Sequence, residues 1–425
     1  MMRRTIPLAA GFFCGTHTLG ESEKDEPKLL HATVLFRHGA RTPVFIDIPG
    51  LEEMDWNICT EKMNNDLPRV EVRDIITGGK RPPFTKSMQN QINFTLTGGG
   101  GTCHAGQLSD LGIEQTTQLG KKLRELYGDS LGDDVSKVTV RTTNVPRCVT
   151  SARGVMKGLF PNNQEALPMY TMFMKNEYAT PRIRTCSRLA DLWKAASMSW
   201  ARSPETDGPR VLTEIQKVLT KEEMRSFNLH EGNFIPLRDM MVALDAHGLK
   251  QPYPELVPLL DRIDRLGGLQ LGSLLKGGGG WANELETSKL AIGKLLGEVL
   301  DRLGEHASHP GPPTLYLVSA HDTTLVPMLS ALSLYDGNWP PYASYISFEL
   351  WEETDERGAP MHTVRVLFNG RRLPLPGCHV DSAGRMPLDD VVKGLAPVIP
   401  KDEHKECLTK KKSSMTKKGG DGDKF

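Results

Sequence analysis

Residues 315–335, LYLVSAHDTTLVPMLSALSLY, form a nearly continuous apolar run that is long enough to cross a membrane as a helix, except that His321 and Asp322 lie in its middle. Two ionisable side chains are not expected at the centre of a membrane-spanning helix. We therefore predict no transmembrane segment, but a buried strand at 314–320 followed by a helix. A strand that is apolar on both faces must be covered on both, as in the parallel sheets of α/β proteins.

Helix-like and strand-like segments alternate through much of the chain. Apolar residues recur with a helical period over 119–126 and over 285–303, and a short strand pattern follows each of these segments, at 135–140 and 314–320. Another strand pattern covers 29–36. This order predicts an α/β fold, with a mainly parallel central sheet flanked by helices and a smaller, mainly helical cap inserted.

The predicted domain organisation has four parts. A targeting segment and linker occupy 1–27, the α/β domain comprises 28–164 and 281–408, the helical cap covers 165–280, and a disordered Lys-rich tail covers 409–425. For the tail, a solvated end is favoured over an electrostatic anchor. The four-glycine runs at 98–101 and 277–280 are not followed by Lys-Ser/Thr, so we predict turns or hinges there and no nucleotide-binding loop.

The first twenty residues have the composition of a targeting segment. Arg3 and Arg4 come first, a short apolar stretch covers 6–14, and no acidic residue occurs before Glu21. A secretory signal and a mitochondrial presequence both fit this pattern.

Composition argues against two classes of partner. Because 52 Lys and Arg balance 52 Asp and Glu, no global field attracts nucleic acid or an anionic membrane. The seven cysteines lack metal-ligand spacing, which argues against a structural zinc site. Disulfide pairing in an oxidising compartment is permitted by this count but not implied.

Ionisable side chains follow three of the predicted strands at the point where each strand ends. They are, in chain order, Arg37, His38 and Arg41, then Arg141, and finally His321 and Asp322. Ligands of open α/β sheets bind beyond the carboxyl ends of the strands, so we expect these side chains to converge if the three strands are neighbours.

Three arginines at one point suit a phosphate monoester, which carries about two negative charges and offers several oxygens to planar guanidinium groups. An unprotonated histidine can attack phosphorus and form a phosphohistidine that water then hydrolyses. Asp322 could protonate the leaving group as a general acid, provided that its pKa is raised or the pH is low. The sequence therefore predicts phosphoryl transfer.

The segment RHGARTP at 37–43 resembles the RHGxRxP motif of the histidine acid phosphatases, and AHD at 320–322 resembles the distant His-Asp motif of the same family. Phosphoglycerate mutases share RHG but neither RxP nor the HD pair, so the acid phosphatase branch of this histidine phosphatase group is favoured. Segments 105–127, 140–148 and 339–353 extend the resemblance.

The resemblance implies a role for each matching residue. It implies His38 as the phosphate-accepting nucleophile, Asp322 as the proton donor, and Arg37, Arg41, Arg141 and His321 as phosphate contacts. It also implies a phosphoglycerate mutase-like fold, with a large α/β domain and a smaller helical cap, and no metal or organic cofactor.

The expected substrate is a small-molecule lipid phosphate monoester. Within the family, GGKRPPF at 78–84 and the WPP segment at 339–341 resemble the lysophosphatidic acid phosphatases, which implies hydrolysis of lysophosphatidic acid and a mitochondrial location. We expect a monomer without a nucleic-acid partner. The alternatives are a broad-specificity secreted or lysosomal acid phosphatase, a phosphatase of a phosphorylated sugar, and a non-catalytic phosphate-binding module.

Several other residues are predicted to lie outside the site. Arg147 and Arg153 lie in or beside a predicted helix, where they are expected to cap it or to face water. His31 lies within the first strand and is expected in the core. The Met-rich segment 169–174 is also assigned to the core in preference to a cavity lining.

Overall fold

The computed structural model describes residues 26–45, 49–51, 54–96, 103–202, 207–355 and 357–408. Most of the predicted targeting segment (residues 1–25), the predicted Lys-rich tail at 409–425 and the four-glycine run at 98–101 lie outside the described residues.

The strands of the described residues form one sheet with the order β2-β4-β3-β5-β1-β6-β7-β8, and β9 pairs with β7. The strands are β1 Lys28–Arg37, β2 Val70–Asp74, β3 Val138–Thr142, β4 Leu167–Thr171, β5 Thr314–Ala320, β6 Tyr345–Thr354, β7 Pro360–Phe368, β8 Arg371–Arg372 and β9 Arg385–Pro387.

The sheet has a parallel half and an antiparallel half that meet at β1. Strands β2, β4, β3, β5 and β1 pair in parallel, whereas β6 pairs antiparallel with β1 and begins the second half. The α/β class is thus confirmed, although the sheet is mixed. An apolar pattern reports that a strand is buried and not which way it runs, so the sequence did not distinguish the two halves.

Helices cover both faces of the sheet. They are α1 Glu61–Asn65, α2 Lys86–Asn93, α3 Asp110–Leu131, α4 Pro146–Leu159, α5 Ser187–Arg202, α6 Gly208–Ile215, α7 Lys221–Ser226, α8 Ile235–Ala246, α9 Leu260–Leu274, α10 Trp281–Ser308, α11 Asp322–Ala331, α12 Leu388–Leu395 and α13 Glu403–Glu406.

Two apolar cores enclose the sheet. One contains residues of α3 and α4, such as Leu123 and Val155, packed on β1 and β3. The other contains residues of α10 and α11, such as Val299 and Leu325, packed on β1, β5 and β6. The run 315–335 is therefore a buried strand followed by a helix, as predicted, and within the described residues no helix is long and apolar enough to cross a membrane.

The cap differs from its predicted extent of 165–280. Strand β4 belongs to the central sheet, between β2 and β3, so the inserted helices begin only with α5. Pro168 within β4 obscures the strand pattern in the sequence. The cap core, formed mainly by α6 to α9, also includes Trp56 and Leu96, which precede α3 in the chain.

Two disulfides connect distant segments. Cys59 pairs with Cys103, and Cys186, at the start of α5, pairs with Cys407 directly after α13. Cys148 and Cys378 are free. The sequence permitted pairing without indicating partners, because the partners are fixed only by the tertiary fold.

Candidate active site

The loop after β1 carries the first part of the site. The backbone N–H of His38 donates to the carbonyl of Ala320 over 3.0 Å, which aligns the ends of β1 and β5. Gly39 follows, and a Cβ on it would lie 2.2 Å from the carbonyl oxygen of Gly112 in α3. Because only glycine allows this approach, the loop is held tightly against α3.

The end of β5 carries the second part. His321 is the N-cap residue of α11 and Asp322 is its first residue. The Asp322 carboxylate accepts hydrogen bonds from the Thr323 N–H at 2.8 Å and from the Trp339 indole N–H at 3.1 Å. The strand and the helix start therefore fix both side chains of the His-Asp pair.

The two parts meet because β1 and β5 are neighbours, with Arg37 opposite Ala320. The His38 and His321 rings lie 5.6 Å apart, and the Arg37 guanidinium lies 2.8 Å from the Asp322 carboxylate. His38 is 1 % exposed and Asp322 8 %. Five of the six predicted site residues, the four named here and Arg41, thus come together in one buried cluster.

His38 has the protonation state of a nucleophile. Its Nδ1 lies 2.8 Å from the Gly39 carbonyl oxygen, which can only accept, so Nδ1 carries the proton and Nε2 keeps its lone pair. Burial and the positive charges of Arg147, Arg37 and Arg41 lower the pKa of His38 well below its usual value. The ring is therefore neutral at neutral pH and its Nε2 can attack an electrophile.

His321 is also neutral. Burial and the charge of Arg147 lower its pKa to about 3, and its Nε2 lies 3.0 Å from the Thr143 hydroxyl. A neutral imidazole cannot attract phosphate as a cation does, so His321 can contact phosphate only through a hydrogen bond.

Asp322 is ionised. Burial alone would raise the pKa of its carboxyl group, but the neighbouring guanidinium groups of Arg37 and Arg41 outweigh burial and hold that pKa well below its usual value. The pKa of Asp322 is therefore lowered, whereas a proton donor needs a raised one.

Arg141 does not join the cluster, which corrects the sequence prediction. Its guanidinium donates to Glu177 at 2.6 Å and to Glu298 of α10 at 2.8 Å, and it stacks on the Tyr178 ring. Arg141 lies within β3, one residue before the strand ends, and its side chain points to the sheet face that α10 covers. Successive strand residues point to opposite faces, so a strand-end position alone does not fix where a side chain points.

Arg147 occupies the place expected for Arg141, although the sequence had placed it outside the site. It lies in the first turn of α4, after Pro146, and its charge is the largest single electrostatic influence on His38. Burial and Arg41 lower its pKa only to about 10, so it stays charged at neutral pH. The proline at the helix start is the signal that could have identified it, because helix starts also lie at this edge of the sheet.

The cap contributes Asp239 of α8, which no pattern in the sequence identified. Its carboxylate accepts from Arg41 Nη2 at 2.9 Å and from the Val44 N–H at 2.9 Å. This contact fixes Arg41 at the boundary between sheet and cap. Trp339, from a segment noted only for its resemblance, holds Asp322 on the other side.

The three guanidinium groups retain unused hydrogen-bonding capacity. The Nε–H groups of Arg37, Arg41 and Arg147 are buried and have no hydrogen-bond partner among the described residues. Because these three groups surround one neutral histidine, an anion bound among them would supply the missing acceptors. Within the described residues no group of three or more His, Cys, Asp or Glu side chains could hold a metal ion.

A cavity of about 260 Å³ adjoins Arg147. Its lining combines apolar side chains, such as Met88 and Ile92, with polar ones, such as Glu61 and Asp110. Of the residues clustered around His38, Arg147 alone lines this cavity, so an apolar group could bind there next to Arg147.

Replacing Arg147 with alanine is expected to raise KM and to lower kcat/KM for phosphate monoesters by about 10²- to 10³-fold, because a buried charged donor to the transferring group is lost. Arg153, two turns along α4, donates to the carbonyl of Pro68 and to Asn64, away from His38. Arg153→Ala is the matched control and is expected to keep kcat/KM within a few-fold. Equal losses in both variants would exclude Arg147 from the anion site.

Comparisons with known proteins identify relatives of this chain. The family model of the histidine phosphatase superfamily (branch 2) matches residues 28–217 and 261–369. Lysophosphatidic acid phosphatase type 6 of Pongo abelii is 26% identical over 393 residues, covering 88% of this chain and 85% of that protein. Lysosomal acid phosphatase of Rattus norvegicus is 28% identical over 324 residues, covering 71% and 72%. A Hafnia alvei phytase solved with tartrate shares the fold, with a TM-score of 0.57 at 16% identity, covering 90% and 99%.

Proposed function

Because the chain belongs to the histidine phosphatase superfamily (branch 2) and is a phosphomonoesterase, we propose that it hydrolyses lysophosphatidic acid to monoacylglycerol and phosphate through a phosphohistidine on His38. The observation that carries the mechanism is the neutral His38, with Nε2 unprotonated, beside three guanidinium groups that have free buried donors.

Substrate binding is the first step. The phosphate dianion accepts hydrogen bonds from Arg37, Arg41 and Arg147, whose free Nε–H groups it satisfies. It thereby competes with Asp322 for Arg37 and adds negative charge beside the carboxylate. Both effects raise the pKa of Asp322 in the complex above its value in the free protein, so binding is accompanied by proton uptake at Asp322.

Phosphoryl transfer follows in two displacements. His38 Nε2 forms a bond to phosphorus while the ester P–O bond breaks, and protonated Asp322 gives its proton to the departing alkoxide. Asp322, now ionised, accepts a proton from a water molecule that attacks the phosphohistidine. The P–N bond breaks, inorganic phosphate leaves and His38 returns to its starting state.

Two observations support the lipid substrate. The cavity beside Arg147 has an apolar part formed by Met88, Ile92, Leu108 and Ile113, and lysophosphatidic acid phosphatase type 6 of Pongo abelii matches 88% of this chain. The test compares kcat/KM of the purified protein for lysophosphatidic acid, glycerol 3-phosphate and p-nitrophenyl phosphate. A preference of at least about tenfold for the lipid over glycerol 3-phosphate is expected from burial of its chain. Equal values would refute the lipid assignment and leave a broad-specificity phosphatase.

The second candidate is that broad-specificity acid phosphatase, located in the secretory pathway. The two disulfides favour it, since such bonds persist in oxidising compartments, as does the similarity to lysosomal acid phosphatase. The mitochondrial location stays the proposal that accompanies the lipid substrate. Imaging of the full chain with a C-terminal tag separates the two, and a purely secretory signal would exclude the mitochondrion.

A further inference from the structure

Arg141 and Glu177 form a charged pair that is fully buried on the sheet face opposite the loop of His38. Glu177 is 1 % exposed and Arg141 0 %. Burying two charges costs more free energy than packing apolar residues of the same size, so a buried ion pair is weak evidence for stability. The neighbouring contacts indicate another role for it.

A chain of hydrogen bonds leads from this pair to the His-Asp motif. The Glu177 oxygen that accepts from Arg141 also accepts the Ala179 N–H, at 2.7 Å. The Ala179 carbonyl accepts from the Thr324 hydroxyl at 2.5 Å. The same hydroxyl accepts the backbone N–H of His321 at 3.3 Å.

We propose that this chain of contacts, which we call the Arg141 relay (Arg141, Glu177, Ala179 and Thr324), positions Asp322 for protonation of the leaving group. Thr324 lies in the first turn of α11, and its hydroxyl connects the start of that helix to the segment 177–179. Asp322 lies between the two residues that this hydroxyl connects, His321 and Thr324 itself. Arg141, Glu177 and Thr324 are positioning residues because they act on Asp322 through the backbone.

Strand β3 holds the His-Asp motif from two sides. Arg141 starts the relay on one face, while Thr143, just past the strand end, contacts the His321 ring at 3.0 Å. Arg141 and Thr143 are only two residues apart, so the end of one strand contacts both the relay and the His321 ring. This arrangement gives the strand-end arginine a function that does not require contact with phosphate.

The relay rests on the proposed function, and leaving-group dependence tests it. Lysophosphatidic acid releases an alkoxide that needs a proton, whereas p-nitrophenyl phosphate releases a stable phenolate that does not. Thr324→Val removes only the hydroxyl. This variant is expected to lower kcat for the lipid about tenfold more than it lowers kcat for the aryl ester. That factor is smaller than the full contribution of general acid catalysis, because Asp322 itself is retained. A purely structural role would lower both values by one factor.

Three further variants complete the test. Thr324→Ser keeps the hydroxyl and is expected to restore the wild-type ratio of the two kcat values. Thr171→Val makes the same change at a buried threonine of β4 outside the relay and is expected to keep that ratio. Glu177→Gln weakens the hold of Arg141 and is expected to shift the ratio in the same direction as Thr324→Val, by less, which tests the relay if Thr324→Val does not fold.

The proposal is overturned if Thr324→Val and Glu177→Gln both keep the wild-type ratio, or if Thr324→Ser is impaired as much as Thr324→Val. If the wild type hydrolyses glycerol 3-phosphate but not lysophosphatidic acid, the lipid assignment fails, and the relay is tested with glycerol 3-phosphate as the alkyl ester. If the wild type forms no phosphohistidine and hydrolyses no monoester, the proposed function is refuted independently of the relay.

Discussion

His38→Ala is expected to abolish phosphate release from lysophosphatidic acid, with kcat falling by at least about 10⁴-fold, because no other side chain can take over a lost nucleophile. The neutral imidazole with its proton held on Nδ1 is the group that the reaction consumes and restores. Stopping the wild-type reaction within its first turnover and measuring ³²P on the protein is expected to show acid-labile, alkali-stable label that is absent from the variant.

His230→Ala is the control for that variant. His230 is an exposed histidine of the cap, and its replacement is expected to leave both turnover and labelling at wild-type values. Label that persists in His38→Ala would assign the phosphoryl acceptor to another residue. Turnover that persists without any label in the wild type would exclude a phosphohistidine altogether.

Asp322→Asn is expected to lower kcat for lysophosphatidic acid by about 10²- to 10⁴-fold, the range of a lost general acid, and to change the pH profile. In the wild type the first step needs protonated Asp322, so kcat falls as pH rises through the pKa of Asp322 in the complex. His38 does not limit the acid side near pH 6.5, because its pKa is lowered well below that value and it stays neutral there. The variant lacks the titrating carboxyl group and is expected to lose the alkaline decline.

For this variant, Asp301→Asn makes the same change at an exposed position of α10 and is expected to keep the wild-type profile. An unchanged alkaline decline in Asp322→Asn would assign the proton donor elsewhere. A loss as large for p-nitrophenyl phosphate as for the lipid would show that Asp322 acts mainly in hydrolysis of the phosphohistidine, a step that the two substrates share, and not on the leaving group.

The sequence predicted the sheet ends that carry His38, His321 and Asp322 because each follows a strand that is apolar on both faces. Such strands are recognisable from local pattern alone, and their carboxyl ends must share an edge once they pair in parallel. The same reasoning failed for Arg141, since the apolar pattern does not show to which face of the sheet the side chains of the last strand residues point. It missed Arg147 because a residue in or beside a predicted helix was expected to cap that helix or to face water.

The contribution of the cap could not be predicted. Asp239 reaches Arg41 only because α8 packs against the loop after β1, and the two residues are 198 positions apart in the chain. The carboxylate sits in an ordinary helix with no motif around it. Contacts of this kind depend on the packing of two domains, for which a single sequence carries no local signal.

The neighbouring strands β1 and β5 bring together residues separated by 283 positions, from Arg37 to Ala320. Closing so long a loop is slow, and during synthesis β1 must wait until nearly three quarters of the chain has left the ribosome. Before that moment His38, which follows β1, and Asp322, which follows β5, do not lie next to each other. A nascent chain that ends before β5 is therefore expected to lack phosphatase activity, and recovery of activity during refolding requires the pairing of β1 with β5.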